Sequence, residues 1–382
     1  MRKTSNAYSR CRFYSNQYAI NSRGQAGQVN VSSCLFERNH IAVFVRGAQL
    51  VDVEDSRFSA NNNEALSVTA SRSSATAVFI RRSRFDSVAL SMTAEQHADF
   101  SSSVDDCLFN SSRVEVDGYT SSRVSSIRVS NSSFQSSGVR VVTPLESHNL
   151  NLSIVGCSFR RLAYQPVVEL VTPAMNSVTI SDNVFEENSR DPCVKFTVPY
   201  VSGFVSPGLV SVVGNTFTNH SGASVIVLDG DAYNDFYHHV QLRRNAFQNP
   251  LCPFEIEVRS RWRDGYEVNA SENWWGSTSR TYVAERISDV FSDSRKAKVS
   301  LTSMYTDPEM TQLEVIPDPR TWSVTNETIV GGELDRNVTL AGSDIPYFVN
   351  RTIYIPKGFQ LLLGENVTLH FEEVRGIIIE GI

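Results

Sequence analysis

The sequence predicts an all-β protein whose main part is a right-handed parallel β-helix of about ten coils. Two ladders predict this fold. A Phe recurs about every 25 residues, and a Cys, Ser or Asn stands two positions before each one. A fixed period of this size is typical of repeat architectures. The aromatic ladder consists of Phe13, Phe36, Phe58, Phe85, Phe109, Phe134, Phe159, Phe185, Phe217, Phe247 and Trp275.

Each repeat carries two strand signals. Apolar pairs such as Val29/Val31 and Val240/Leu242 stand five and three positions before the small residue, with Ser102 replacing the first member once. A second alternating run follows the Phe, as in residues 41–45 and 194–198. Apolar residues at a spacing of two are typical of strands. The repeat is therefore predicted to be strand, tight turn, strand and loop.

A propeller blade needs more residues than this repeat has, and the leucine-rich pattern is missing. In a parallel β-helix each repeat is one coil, and coils stack about 4.8 Å apart. The Phe rings would then pile up inside, and the Asn amides at the turn would bond to the coils above and below. Cys11, Cys34, Cys107 and Cys157 are interpreted as buried filler of that column, with a Cys11–Cys34 disulfide as the alternative.

The repeats fill residues 1–310. They end at Asn273-Trp274-Trp275-Gly276, after which Ala284–Phe291 is predicted to be an amphipathic helix that caps the last coil. The two Trp residues are interpreted as cap packing, with a sugar-binding surface as the alternative. A Pro-punctuated linker follows over 311–321. Short alternating segments over 322–382 predict the first coils of a second β-helix.

The compartment is indicated by glycosylation sequons. The chain has a net charge of −6 and no basic stripe, which argues against nucleic-acid binding. Asn-x-Ser/Thr sequons occur more often than chance predicts, which favours an extracellular location. They lie at Asn30, Asn110, Asn131, Asn151, Asn219, Asn269, Asn326, Asn337, Asn350 and Asn366.

Targeting and membrane signals are not evident in the sequence. The residues after Met1 lack the apolar stretch of a signal peptide, and no run of about 18 apolar residues occurs. We therefore expect the chain to be a fragment of a larger secreted or cell-surface protein. Its signal peptide and any membrane anchor would lie outside the fragment.

Cys193 and Cys252 stand in Pro-containing loops, two coils apart. In an oxidising compartment they could form a disulfide that ties the longer coils together. The alternative is two free thiols.

No catalytic constellation is recognisable, so we expect a non-enzymatic protein without a cofactor or metal. Asp105 and Asp106 are adjacent on a predicted strand and should point to opposite faces. Asp182 stands alone. The acidic segment from Asp229 to Asp235 fails the EF-hand pattern, and neighbouring His238 and His239 should diverge.

The repeated coil, the closing Asn273-Trp274-Trp275-Gly276 with its helix, and the Pro346-Tyr347 segment leading into Leu361–Phe371 occur in this order. Together they resemble, over nearly the whole chain, the extracellular region of the bark beetle (anakonda) family of animal proteins. The resemblance implies a single-pass membrane protein at epithelial cell corners where occluding junctions mature. It also implies scavenger-receptor and lectin-like modules elsewhere, and it supplies no catalytic residue.

The sequence therefore favours a non-enzymatic extracellular scaffold in cell adhesion, at tricellular or septate junctions. Its expected partners are proteins at cell–cell contacts, with glycans as a further possibility, and a membrane only through regions outside this chain. The alternatives are a carbohydrate-binding or polysaccharide-degrading β-helix, which the acidic segment at Asp229 would serve, and a coil array without any ligand.

Overall fold

The residues that the structure describes form a parallel β-solenoid of about 13 turns with almost no helix. A computed structural model describes residues 5–24, 27–72, 74–119, 122–143, 150–172, 176–199, 208–230, 239–259, 268–325 and 328–380. Every coil of the main stack visits three parallel sheets in the same order, and each strand pairs with its equivalent one coil later. We call these sheets 1, 2 and 3.

Sheet 1 has twelve strands. They are Ser5–Ser9, Gln28–Ser32, Leu50–Glu54, Ala75–Arg81, Asp99–Asp105, Arg123–Ser130, Asn151–Val155, Ser177–Ser181, Leu209–Val213, His239–Arg243, Val268–Asn269 and Val299–Ser300.

Sheet 2 has ten strands of three residues, each centred on the ladder position. They are Arg12–Tyr14, Leu35–Glu37, Arg57–Ser59, Arg84–Asp86, Leu108–Asn110, Ser133–Gln135, Ser158–Arg160, Val184–Glu186, Thr216–Thr218 and Ala246–Gln248.

Sheet 3 has eleven strands. They are Tyr18–Arg23, Ile41–Arg46, Glu64–Ala70, Ala89–Ala94, Arg113–Gly118, Gly138–Val142, Val168–Val171, Val194–Val198, Ser224–Gly230, Phe254–Val258 and Ile287–Ser288.

The predicted strands are confirmed as sheets 1 and 3, because their alternating apolar residues point into the core. Val29 and Val31 are buried, and the residues between and beside them face outward. The predicted turn around each Phe was wrong in one respect, since it contains a third strand. Three residues are too few to show a period of two, so the sequence pattern could not reveal it.

The sharp corner between sheets 1 and 2 uses one residue in the left-handed region. The residue before each Cys, Ser or Asn that stands two positions ahead of a ladder aromatic has φ between 45° and 72°, as in Arg82, Asp106 and Gly214. A single left-handed residue turns the chain abruptly, at a strain cost for any residue but glycine. The polar ladder therefore begins directly after the bend.

The predicted capping helix over Ala284–Phe291 was misplaced. The helix spans Arg280–Glu285, and Ile287–Ser288 instead continues sheet 3 by pairing with Ile256–Glu257. An antiparallel pair, Ser303–Tyr305 with Leu313–Val315, follows the last coil, and its Met304 forms a parallel bridge with Asn273. Ile287 completes a coil because its apolar side chain continues the inward column of Ile256.

Residues 322–380 form a second, smaller stack with its own core. Its larger sheet contains Ser323–Thr325, Ile329–Glu333, Tyr347–Ile355, Leu369–Phe371 and Ile377–Ile379, and its smaller sheet contains Val338–Leu340 and Leu361–Leu363. Apart from the first antiparallel pair, all these strands pair in parallel. Leu361 lies beside Val338, one short coil later.

The two stacks are in contact. Val290 and Phe291 of the main stack pack against Tyr354 of the second. Within the expected linker 311–321, Ile316 belongs to the main core and Arg320 is buried. Among the described residues, no helix has the length and apolar character needed to cross a membrane.

Candidate functional site

The interior of the main stack is organised by the aromatic column, which the structure confirms. Ten Phe rings stack with centroids 4.6–5.3 Å apart and interplanar angles of 1–16°. Phe13, in the first coil, is partly buried, and the others are fully buried. Trp275 closes the column against Phe247 at 5.2 Å, tilted by 31°.

The Cys, Ser and Asn column forms a continuous polar ladder beside the rings. In its Asn part, the backbone N–H and Nδ2 of Asn183 both donate to Oδ1 of Asn215, at 3.0 and 2.9 Å. Asn215 does the same to Asn245, and its Nδ2 also donates to the carbonyl of Ile180 at 2.8 Å. Each amide thus satisfies buried groups of the neighbouring coils, as predicted.

A second polar ladder runs along the corner between sheets 2 and 3, and sequence reasoning missed it. The N–H of Asn16 donates to Asn39 Oδ1, and that of Asn39 to Asn61 Oδ1, each at 2.9 Å. Ser112 and Ser137 continue the ladder with their hydroxyl oxygens, each of which accepts a hydrogen bond from a backbone N–H of the preceding coil. Asn188 and Asn249 do so with their side-chain Oδ1 atoms. The signal was available, because a polar residue stands three positions after most of the Phe residues.

The ladder cysteines are buried free thiols, apart from the partly exposed Cys11. Burial raises the pKa of Cys107 to about 12 and that of Cys157 to about 11. The N–H of Cys11 donates to Cys34 Sγ at 3.4 Å. These thiols therefore fill the column as weakly polar side chains and are poor nucleophiles at neutral pH.

Cys193 and Cys252 are also free and buried. Val194 pairs with Ile226, and Ile226 pairs with Ile256, so a whole strand separates the two coils that carry these cysteines. Coils that are two apart lie about 9–10 Å from each other, whereas a disulfide needs Cα atoms within about 7 Å. A bond between these two thiols would require the intervening coil to open.

Between these coils lies a buried polar cluster. Both ring nitrogens of His220 face carbonyl oxygens, Nδ1 to Asn188 at 2.8 Å and Nε2 to Ser224 at 3.1 Å. Cys193 Sγ lies 3.7 Å from Nδ1. A neutral imidazole can donate to only one of these carbonyls, and burial lowers the pKa of His220.

Glu255 lies one coil further on and is fully buried. It accepts from Arg286 Nη2 at 2.6 Å and from Asn249 Nδ2 at 2.8 Å. Burial nevertheless raises the pKa of Glu255 to about 7. The group is therefore paired and enclosed, which is the arrangement of a structural ion pair.

The acidic candidates within the described ranges do not converge. Asp105 accepts hydrogen bonds from Ser130 Oγ at 2.7 Å and from Asn131 Nδ2 at 3.1 Å. It therefore links the ends of two neighbouring strands of sheet 1. Asp106 and Asp182 each occupy a left-handed corner position. In the segment from Asp229 to Asp235, residues 231–235 lie outside the described residues, as does His238. Across the described ranges, no group of three or more His, Cys, Asp or Glu residues could hold a metal ion.

The Trp pair offers no sugar-binding surface. Trp275 is fully buried in the aromatic column and Trp274 is 9% exposed. Their indole faces are covered by protein, which agrees with the interpretation as cap packing.

Most sequons face solvent. Asn110, Asn131, Asn151, Asn219, Asn337, Asn350 and Asn366 are exposed, and Asn30 and Asn269 are half-exposed. Asn326 lies outside the described residues. Asn30, Asn151 and Asn269 stand on outward positions of sheet 1, and Asn110 ends a strand of sheet 2.

A notch opens at the corner between sheets 2 and 3. In three successive coils this corner has only two residues, 87–88, 111–112 and 136–137, whereas the next coil uses seven, 161–167. The short corners leave a cavity of about 400 Å³. It is lined by serine hydroxyls together with Arg113, Glu115 and Gln165.

Comparison with known proteins gives one partial similarity. The chain is 25% identical over 162 residues to the protein bark beetle of Drosophila melanogaster. The match covers 41% of this chain and 5% of that protein. No family model matches the chain, and no solved structure matches it. The similarity is therefore narrower than the resemblance read from the sequence motifs.

Proposed function

We propose that this chain is a non-enzymatic extracellular β-helix scaffold that mediates contacts between cells at tricellular or septate junctions. The observation that carries the proposal is that the repeated residues of each coil face the interior, whereas the glycosylation sequons face solvent. The recurring residues, Phe, Asn, Ser and Cys, point inward and hold the coils in register. The sequon asparagines of the same stack are exposed or half-exposed, namely Asn30, Asn110, Asn131, Asn151, Asn219 and Asn269.

Two further points support this function. A long stack of coils offers an extended surface to protein partners, as solenoids generally do. The distant similarity to bark beetle supports a junction-related role, and the short share of that protein that is matched leaves its other regions outside the comparison.

The test is the location and glycosylation of the protein in an epithelial cell layer. Tagged full-length protein should collect at cell–cell contacts and should lose mass when N-glycans are removed enzymatically. The variant Asn151→Gln should have a lower mass than the wild type by one N-glycan, because this sequon is exposed. Asn21→Gln is the matched control, an exposed strand asparagine outside any sequon. Uniform cytoplasmic staining with no glycan would contradict the proposal.

Carbohydrate binding or cleavage is the second candidate, and the notch favours it. Its volume of about 400 Å³ lies within the usual range of ligand pockets, and hydroxyl, guanidinium and amide groups can all bond to sugar hydroxyls. Titration of the chain with a panel of oligosaccharides should then show binding that Arg113→Ala weakens.

Cleavage is tested separately on the same panel. An enzyme would release reducing or unsaturated sugars, and Asp229→Ala would reduce this release if the acidic segment took part. The absence of turnover would remove the enzymatic half of this candidate and leave binding to be judged by the titration.

A further inference from the structure

The outward face of sheet 3 carries a column of alternating charges in four successive coils. Glu115, Arg140, Glu169 and Lys195 lie side by side in register, one per coil. Their signs run negative, positive, negative, positive. We call this set the charge column.

A second outward column runs beside it, two residues further along each strand. Its members are Asp117, Val142, Val171 and Thr197. The two central members are β-branched and apolar, and both remain partly exposed.

The charge column is held in place within the chain. Arg140 lies 3.1 Å from Asp117 and 3.4 Å from Glu169. The side chains are only partly exposed, 33% for Arg140 and 19% for Glu169. Such side chains lose little freedom when a partner arrives, which lowers the entropic cost of binding.

The strands of this face carry no sequon among the described residues, whereas sheet 1 carries three on outward positions. The sequons beside the face are Asn110, which ends a strand of sheet 2, and Asn219, which follows one. A glycan is bulky, so a protein contact is expected where sequons are missing. The distribution of sequons over the sheets is an observation separate from the order of charges in the charge column.

We propose that sheet 3 binds a second copy of this chain, face to face, around a two-fold axis parallel to its strands. Such an axis reverses the coil order and keeps each column opposite itself. Glu115 then faces Lys195 of the second copy, and Arg140 faces Glu169. In the second column Val142 faces Val171, which gives the contact an apolar centre.

The alternation of charge selects this orientation. In the alternative arrangement the two stacks would run in the same direction, and each coil would face its equivalent in the second copy. Like charges would then lie opposite each other, which is destabilising. The antiparallel arrangement brings opposite charges together at all four positions. A face that complements itself in this way satisfies the requirement of an isologous interface.

The contact is small, so the association is expected to be weak. Four coils span about 14 Å between first and last strand, and a five-residue strand spans about 16 Å. A patch of this size covers roughly 220 Å² on each copy, which is below the area of standard specific interfaces and is typical of a weak, transient contact. It rests on the proposed scaffold function, to which it adds a homotypic partner.

The test is sedimentation of the full 382-residue chain over a concentration series from about 5 µM to about 1 mM, at low and high salt. We expect a monomer–dimer equilibrium that weakens with salt, since part of the attraction is between exposed charges. Glu115→Lys alone and Lys195→Glu alone should each raise the dissociation constant at least about tenfold.

The double variant Glu115→Lys with Lys195→Glu should restore the affinity, because residue 115 of one copy meets residue 195 of the other. The matched control exchanges an exposed ion pair away from this face, Arg161→Glu with Glu187→Arg, and should leave the affinity unchanged. Thermal melts of every variant show whether it is folded.

Three outcomes would overturn the contact. They are a monomer at all concentrations, a double variant as weak as the single ones, or an equal loss in the control. A monomer that is glycosylated and reaches cell contacts would overturn the homotypic contact and leave the scaffold function standing. A dimer of this kind in a cytoplasmic, unglycosylated protein would do the reverse.

Discussion

The contribution of a single residue to stability depends on the column of equivalent positions in which it lies. Ser102 occupies an inward position of sheet 1, between Val78 and Ile127 of the adjacent coils. Its side chain is 5% exposed, and among the described residues its Oγ has no hydrogen-bond partner. A buried hydroxyl without a partner costs about 1–3 kcal/mol.

Ser102→Val should therefore stabilise the protein. The valine matches its neighbours in the column and removes the unsatisfied hydroxyl, so we expect the free energy of unfolding to rise by about 1–2 kcal/mol. Chemical denaturation measures the change. Ser101→Val, on the outward side of the same strand, is the control and should change the stability little. A destabilised Ser102→Val would mean that the hydroxyl bonds to something inside the stack.

Glu255 makes stability depend on pH, and the sign follows from its pKa. This value is about 7 in the folded protein against 4.5 for the free group. Between these values the folded state holds a proton that the unfolded state has lost, so stability should rise as pH falls from 7 towards 4.5. The effect is on the order of 3 kcal/mol.

The measurement is the free energy of unfolding between pH 4.5 and 8 for the wild type and Glu255→Gln. The variant should lack this rise. His220 acts in the opposite sense, because its lowered pKa costs stability as pH falls below 6.5. His220 is present in both proteins, so their difference isolates Glu255. Equal pH slopes in the two proteins would contradict the assignment.

At the scale of the element, the coil is set by its corners and its aromatic column. The left-handed residue and the following polar residue fix where the chain bends. The two ladders then hold neighbouring bends in register by hydrogen bonds. Because identical columns stack on each other, a coil gains little from its own residues unless its neighbours are in place.

Phe109→Ala should test this dependence on neighbours. Phe109 lies between Phe85 and Phe134, 4.9 and 4.6 Å from their centroids. We expect a loss of about 3–5 kcal/mol, because the substitution opens a cavity in the middle of the column. Phe13→Ala is the matched control in the partly buried first coil and should cost clearly less. Equal losses, measured by denaturation, would show that position in the column is unimportant.

At the scale of the whole molecule, one buried arginine joins the end of the main stack to the second stack. Arg320 Nη1 donates to Asp289 at 2.6 Å, and its Nη2 lies 2.6 Å from Asp318. Asp289 is fully buried. Arg320 also lies over the ring of Phe291, which contacts Tyr354 of the second stack.

Arg320→Met should destabilise this end by about 3–5 kcal/mol, because it leaves the Asp289 charge buried without its partner. Adding Asp289→Asn to Arg320→Met should recover part of the loss. Hydrogen exchange at residues 287–300 and 329–355 locates the change, with the amides around Phe109 as the internal control. Uniform protection in the variant would contradict the role of Arg320 as the joint.

Much of the architecture could be predicted because the same residue pattern recurs in every coil of the main stack. The period of Phe and the alternating Val and Ile residues determined the parallel coils, the inward column and the polar ladder. The second stack was also evident from its alternating pairs. These features are local in the repeat and are reinforced by every copy, so one irregular residue such as Ser102 did not hide them.

Only the tertiary structure decided the rest, since it depends on which coils lie side by side. The third strand of each coil was too short to show a pattern, and the helix was misplaced because Ile287 serves a sheet and not a helical face. The charge column and the notch both arise from residues about 25 positions apart that stacking places about 5 Å from one another. A sequence fixes the side chains of each coil, but contact between coils creates the surfaces that a partner would bind.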